Sequence, residues 1–307
     1  QARDAVIKNS TVKNYNDGVT NKATNGSEVN SGIKADGATL EKATLTNYVE
    51  KSTNTAQDGA KINAGIKADG AKITGASLDN RATGVENTAI GRGSEINSGI
   101  KADGATIEGG ATALKNTNTK VVNKAYDGST INSGIKVDGA KINQSRLTNT
   151  NTNVNNTAIG KSHIVSGISA NNGATIDNSI ITNTNTGVNN TAINKSKINS
   201  GINLDGARVE NVKMTNTNAN VTNNAANNSV INSGISAEGA TLTNNRQGIT
   251  NVNEGVNNTA KDNSRVNSGI RLDGASVQDS KITNINRGVK NTATGNSSAN
   301  SGIDLGN

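Results

Sequence analysis

Few side chains in this 307-residue chain could do chemistry, and their spacing limits what that chemistry could be. The single histidine, His163, stands in "SHI" where other copies of the motif carry Glu95, Lys197 or Arg265. An exposed substitution is therefore expected there rather than an acid–base or metal-binding group. An aspartate recurs in the Asp-Gly pairs that begin at Asp36, Asp69, Asp103, Asp138, Asp205 and Asp273. If these sit on alternate coils of a stacked fold, successive copies lie roughly 10 Å apart, too far to share a calcium ion. Turn formation is the simpler role. A lysine row (Lys34, Lys67, Lys101, Lys136) lapses at Ser169, Asn203 and Ser236 and runs beside the aspartates. With no Trp or Phe to stack on bases, that row suits a solvated face better than a nucleic-acid site. The absence of Cys removes thiolate metal sites and disulfides. No nucleophile, base and orienting group recur together, so neither catalysis nor a cofactor is expected.

Threonine offers a different possibility. "TNTNT" occurs at Thr148–Thr152 and again at Thr182–Thr186, and such Thr-x-Thr arrays resemble those of ice-binding β-solenoids. They are regular only in mid-chain, Ala219 and Ile285 break the pattern, and Ser-Gly segments separate the runs. Ice binding is thus an alternative to the main reading below.

These side chains need elements to position them, and the elements repeat. "NSGIKADGATI" (residues 97–107) has near-copies at Asn63, Asn132 and Asn199, and the Gly of this motif recurs nine times from Gly32 to Gly302 at intervals of 33 to 35 residues. A period of that size signals a solenoid, propeller or array. Helical repeats are disfavoured by the abundance of Gly, Asn and β-branched residues. The chain has no Pro, one Met and three Tyr, too little bulk for an ordinary globular core. A thin core repeated many times fits instead. The net charge of +7 is spread along the chain and allows contact with anionic matrix polymers. No stretch approaches the roughly 18 apolar residues of a membrane span, so no membrane insertion is expected.

Each repeat divides again. "NSGIKVDGAKINQSRLT" and "NTNTNVNNTAIGKSHI" align position by position, each opening on an Asn. That Asn recurs at Asn14, Asn30, Asn47, Asn63, Asn80, Asn97, Asn116, Asn132, Asn149, Asn183, Asn199, Asn216, Asn232, Asn251, Asn267, Asn284 and Asn300, with Val165 in its place once. The mean step is about 17 residues, half of the full repeat. The resulting expectation is an all-β protein: one continuous β-solenoid domain over 1–307, of about 18 coils of roughly 17 residues, two coils to a repeat, with the Asn side chains in a single ladder. Alternation places Ile33, Ile66, Ile100, Ile135, Ile168, Ile202, Ile235, Ile270 and Ile303 in the core. The Lys and Asp rows are expected to carry little stability.

An Asn-rich, Pro-free and Cys-free chain of short β-arcs resembles the secreted functional-amyloid subunits of bacteria, the curlins among them. It departs from curlins in having a different repeat length and only five Gln. The two-coil repeat is similar to fungal prion β-solenoids, and "NTAIGRGS" (Asn87 to Ser94) and "NTAIGKS" (Asn156 to Ser162) resemble the head repeats of trimeric autotransporter adhesins. What these resemblances imply is a secreted, self-associating structural protein, an extracellular fibre subunit of the biofilm matrix or cell surface. A monomeric surface adhesin is the other alternative. The ends extend the same expectation. "QARDAVIKNSTVK" matches the back of an "NSG" coil and "NSGIDLGN" its front, so Ala2, Ala5, Ile7, Val12, Ile303 and Leu305 are the candidate residues of a head-to-tail subunit junction.

Overall fold

A computed structural model of the chain describes residues 4–306. The coil is twice as long as the Asn spacing implies. Strand pairing joins equivalent positions of successive full repeats, never those of successive half-repeats: Ile100 pairs with Ile66 and Ile135, and Asn116 with Asn80 and Asn149. The β-solenoid expectation holds, but the described residues form nine coils, each as long as a full repeat, instead of twice as many half that length. Every coil contributes one strand to each of five nine-stranded parallel sheets, here called faces I to V. In the fifth coil these strands are β21 (Lys141–Asn143), β22 (Arg146–Thr152), β23 (Asn155–Ile159), β24 (His163–Val165) and β25 (Ile168–Ser169). Among the described residues there is no helix, and none long and apolar enough to cross a membrane.

Glycine gives the physical reason for the longer coil. Between faces IV and V the Asn-Ser-Gly corner folds into the interior, and Ser98, Ser133 and Ser166 are fully buried. The Gly residues stack so closely there that a Cβ on Gly99 would lie 2.1 Å from the Gly134 carbonyl oxygen, and one on Gly134 2.0 Å from that of Gly167. Half-repeat coils would set Asn151 against Gly134, and the Asn side chain would not fit. The full-repeat coil instead stacks like on like: Gly on Gly, Ile on Ile, Asn on Asn.

Local sequence explains the corners. Left-handed residues stack in columns between faces, for example Gln144, Asn178, Asn211 and Asn244 between faces I and II. Asn, Asp and Gly tolerate this conformation best, which accounts for much of the composition. Within each coil the Ser-Gly wedge divides the apolar interior. On one side lie the Ile column of face V with Leu40, Ile73, Ile107, Ile142 and Ile176 of face I. On the other lie Ala56, Ala89, Ala125 and Ala158 of face III with Ile62, Ile96, Ile131 and Ile164 of face IV. The Ile column is buried from Ile33 to Ile270, while Ile303, in the last coil, is 47% exposed.

Candidate functional site

Two regions combine the side chains singled out by sequence: the amide ladders that end at the terminal coils, and a lateral groove between faces IV and V. The expected single Asn ladder is two ladders on different faces, because alternate Asn residues belong to different strands of one coil. On face II, Asn14, Asn47, Asn80, Asn116, Asn149, Asn183, Asn216, Asn251 and Asn284 form an unbroken series, each side-chain N–H donating to the next Oδ1 at 2.7 to 2.8 Å. On face IV, Asn30, Asn63, Asn97 and Asn132 are linked, as are Asn199, Asn232, Asn267 and Asn300. Val165 separates the two runs.

Two further ladders escaped the sequence reading. One runs on face III from Asn21 through Asn54, Asn87, Asn123, Asn156, Asn190, Asn223 and Asn258 to Asn291. The other runs from Asn118 through Asn151, Asn185, Asn218 and Asn253 to Asn286 on face II. Their signal was the inward position in period-2 alternation, hidden by the wealth of Asn at corners. Asn149 and Asn151 also both donate to the Ser166 carbonyl at 2.8 Å, tying face II to the inward corner.

The ladders have direction. On faces II and III the amide N–H of each coil points to the following coil, whereas on face IV it points to the preceding one. Within this sequence the face II and III ladders thus begin at the Asn14 and Asn21 amide oxygens and finish at the Asn284, Asn286 and Asn291 amide groups. Of the candidate junction residues, Ile7 and Val12 are partly buried against the core, Ala5 is partly buried, Leu305 is 68% exposed, and Ala2 lies outside the described residues.

The groove collects the Lys and Asp rows, now one coil apart rather than two. From Asp36 to Asp205 each Asp of the row caps the corner of the next coil: Asp36 Oδ1 accepts from Asp69 N–H at 3.2 Å, and Asp138 Oδ1 from Asn171 N–H at 2.9 Å. Lys67, Lys101 and Lys136 each lie between two carboxylates, while Lys34 pairs with Glu28. Lys67 reaches Asp36 at 2.7 Å and Asp69 at 3.5 Å, and Lys136 reaches Asp138 at 3.1 Å and also pairs with Asp103. Burial opposes the charge on Lys101, yet Glu95 at 3.0 Å and Asp69 at 3.5 Å outweigh it and hold the ammonium above its ordinary range. Burial raises the Asp103 carboxyl despite Lys136. For Asp138 burial is outweighed by the Ser169 hydroxyl, the Asn171 N–H and Lys136, which hold it low. The rows are therefore a part-buried ionic lattice along a groove, not a free solvated face.

His163 is also corrected. It lines this groove instead of standing on an exposed surface, and burial with the neighbouring Lys197 pushes its imidazole down to about 4. Among the described residues no cluster of His, Asp and Glu has the makings of a metal site.

The threonines project outward from face II. Thr148, Thr150 and Thr152 pair with Thr182, Thr184 and Thr186 on the very next coil, so the expected interruption by Ser-Gly segments does not occur. No protein-family model matches the chain, and no curated protein matches it. Among solved structures it is similar to a trypsin-treated variant of QnrB1, a plasmid-mediated fluoroquinolone resistance protein, at 13% identity over 63% of this chain and 91% of that one. With a TM-score of 0.10 that likeness carries no argument about fold or function.

Proposed function

We propose that the chain is a non-enzymatic structural subunit that stacks end to end into an extracellular fibre, in a biofilm matrix or on a cell surface. What supports the reading is that every interior column stays in register from the first coil of this sequence to the last, so that one coil can stack on any other. Following each interior column to its ends, Ile7 corresponds to Val277, Val12 to Ile282, Asn14 to Asn284, Asn16 to Asn286, Asn21 to Asn291, Asn30 to Asn300 and Ile33 to Ile303. A second copy placed one coil spacing beyond the last coil sets like on like in every column. Ladder direction fits the same joint: Asn284, Asn286 and Asn291 would donate to Asn14, Asn16 and Asn21, and Asn30 would donate to Asn300. A head-to-head joint would oppose acceptors and reverse the strands. The positions that a further coil would cover are apolar, Val277 and Leu305 among them, as Leu242 and Leu272 are covered by their own neighbours. Covering them is favourable by roughly 25 cal/mol per Å², and open strand edges favour pairing.

Negative-stain microscopy and sedimentation of the 307-residue chain test this. The expected result is unbranched filaments, lost on Ile303→Lys, which puts a charge into the joint and leaves interior coils intact. A chain that stays monomeric at high concentration overturns the reading.

The threonine block favours a second reading, an ice-binding face. Face II sets Thr182, Thr184 and Thr186 over Thr148, Thr150 and Thr152 in a flat array with a repeat of about 4.8 by 6.6 Å. Inhibition of ice recrystallisation by the chain, abolished by Thr150→Lys with Thr184→Lys, is its test.

A further inference from the structure

Charge is segregated around the middle coils. Over residues 141–240, coils five to seven, the carboxylates are Asp177, Asp205, Glu210 and Glu238, all on face I or at the corner that leads into it. Segments 146–166, 180–200 and 213–233, which build faces II to IV of these coils, contain no Asp or Glu. They carry Arg146, Lys161, Lys195, Lys197 and Lys213, all exposed. Earlier coils differ: there Lys61 and Lys101 face Glu95, and Lys124 reaches Glu86 at 2.7 Å. Lys197 stacks between His163 and Val230 on face IV, and the carboxylates across the groove are engaged. Asp205 accepts from the Ser236 hydroxyl at 2.8 Å and the Glu238 N–H at 3.1 Å, while Glu238 pairs with Arg271 at 2.8 Å.

Lys161 and Lys195 stand at the corner between faces III and IV, where they line an open hollow of about 390 Å³ with Gly160, Asn194, Asn227 and Asn228. Both have left-handed backbones, with φ of 65° and 63°. Gly59, Gly128, Asn228 and Asn263 hold the equivalent place in other coils, and those are the types that such a turn favours. Turn formation therefore does not account for the lysines.

We propose that this corner, with the flanking faces III and IV of coils five to seven, binds an acidic polysaccharide, a linear sugar chain that carries carboxylates. Lys161 and Lys195 follow the coil spacing of about 4.8 Å, which is also the scale of one sugar residue in an extended chain. Beside them Asn155, Thr157, Asn189 and Thr191 project from face III and offer amides and hydroxyls to the sugar. Duplex nucleic acid carries a charge every ~1.7 Å, a denser array than one lysine per coil matches. Single strands bind on aromatic platforms, and residues 141–240 contain no Tyr, Trp or Phe. Exposed ionic contacts are individually weak and screened by salt, so strength comes from repetition along the polymer. The surface is lateral, so the proposal does not rest on end-to-end stacking.

Fluorescence anisotropy of labelled oligogalacturonate titrated with the full 307-residue chain at low salt tests the site, with NMR observation of backbone amides. Saturable binding is expected, weakened by added sodium chloride and with its largest amide shifts around Lys161 and Lys195. The variant Lys161→Asn, Lys195→Asn, Lys197→Thr installs the residue types of Asn228, Asn263 and Thr130 from the same columns, so its fold is kept. It should bind about tenfold more weakly or worse. Lys42→Asn, Lys72→Thr, Lys141→Thr removes the same charge on face I and the corner after it, and should change affinity less than about twofold. Absence of saturable binding, amide shifts confined to other faces, equal weakening by the two variants, or equally tight binding of a thymidine oligonucleotide of the same charge would each overturn the proposal. Filament formation is read separately by microscopy, so its failure does not decide this one.

Discussion

Gly134→Ala probes the coil length directly. Gly134 is required for space, and its backbone lies outside the left-handed region. An added Cβ would sit 2.0 Å from the Gly167 oxygen, 2.7 Å from the Ser166 carbonyl carbon and 2.9 Å from its oxygen. Relief needs these coils to part locally by more than about 1 Å from a spacing of about 4.8 Å. Three backbone bonds cross this point: Ser133 N–H to the Val165 carbonyl at 2.7 Å, Gly134 N–H to the same oxygen at 3.0 Å and Ile135 N–H to the Gly167 carbonyl at 2.9 Å. Losing two of them while the groups stay buried costs about 1–3 kcal/mol each, so a total loss of about 2–6 kcal/mol is expected.

Gly110→Ala is the control. Gly110 has nothing within 4 Å of where the added methyl would sit and no left-handed backbone, so Ala there should be neutral or stabilise by up to about 1 kcal/mol. Urea unfolding followed by circular dichroism gives the global difference. Amide exchange at Ser133 and Ile135 reports the local one, which matters because long repeat arrays need not unfold in two states. If Gly134→Ala lies within about 1 kcal/mol of the parent and exchange at Ser133 is unchanged, the close Gly stack does not exist and the full-repeat coil loses its steric reason.

Asn183→Ala should cost about 2–4 kcal/mol by urea unfolding, because it orphans the buried Asn216 Oδ1 and removes one of the two side-chain donors to the Ser200 carbonyl. Lys136→Ser should cost about 1 kcal/mol, since it leaves Asp103 and Asp138 facing each other, whereas exposed Lys115→Ser should change stability by no more than about 0.5 kcal/mol. His163 is held down to about 4 in the folded chain, against about 6.5 when unfolded. The unfolded state therefore takes up a proton that the folded state declines, and stability should fall as pH drops from about 6.5 to 4, by on the order of 1–2 kcal/mol. His163→Thr, the residue type of Thr130 one coil earlier, should remove that part of the slope; a difference between variant and parent that stays constant across this range would refute it.

The β-solenoid and its buried Ile column were legible because period and alternation are written in residue type. The coil length was not, and the reason is specific. Asn132 and Asn149 both point inward and both bond along the axis, so each half of the repeat satisfies the same local rule, and the shorter period follows from that rule alone. What separates the halves is what stands next to each Asn: a Gly that tolerates a backbone contact near 2 Å from its missing Cβ, and an Asn151 that needs room for an amide. Side-chain volume at one position, not the pattern of the others, sets the register. The groove was misread for a related cause. A Lys two residues before an Asp looks solvated in a convex coil, but the inward fold at Ser133–Gly134 makes that wall concave and brings Lys136 between carboxylates of successive coils. Alignments made at multiples of the full repeat, such as Ile7 with Ile142 and Ile303 with Ile135, give the same columns for either coil length.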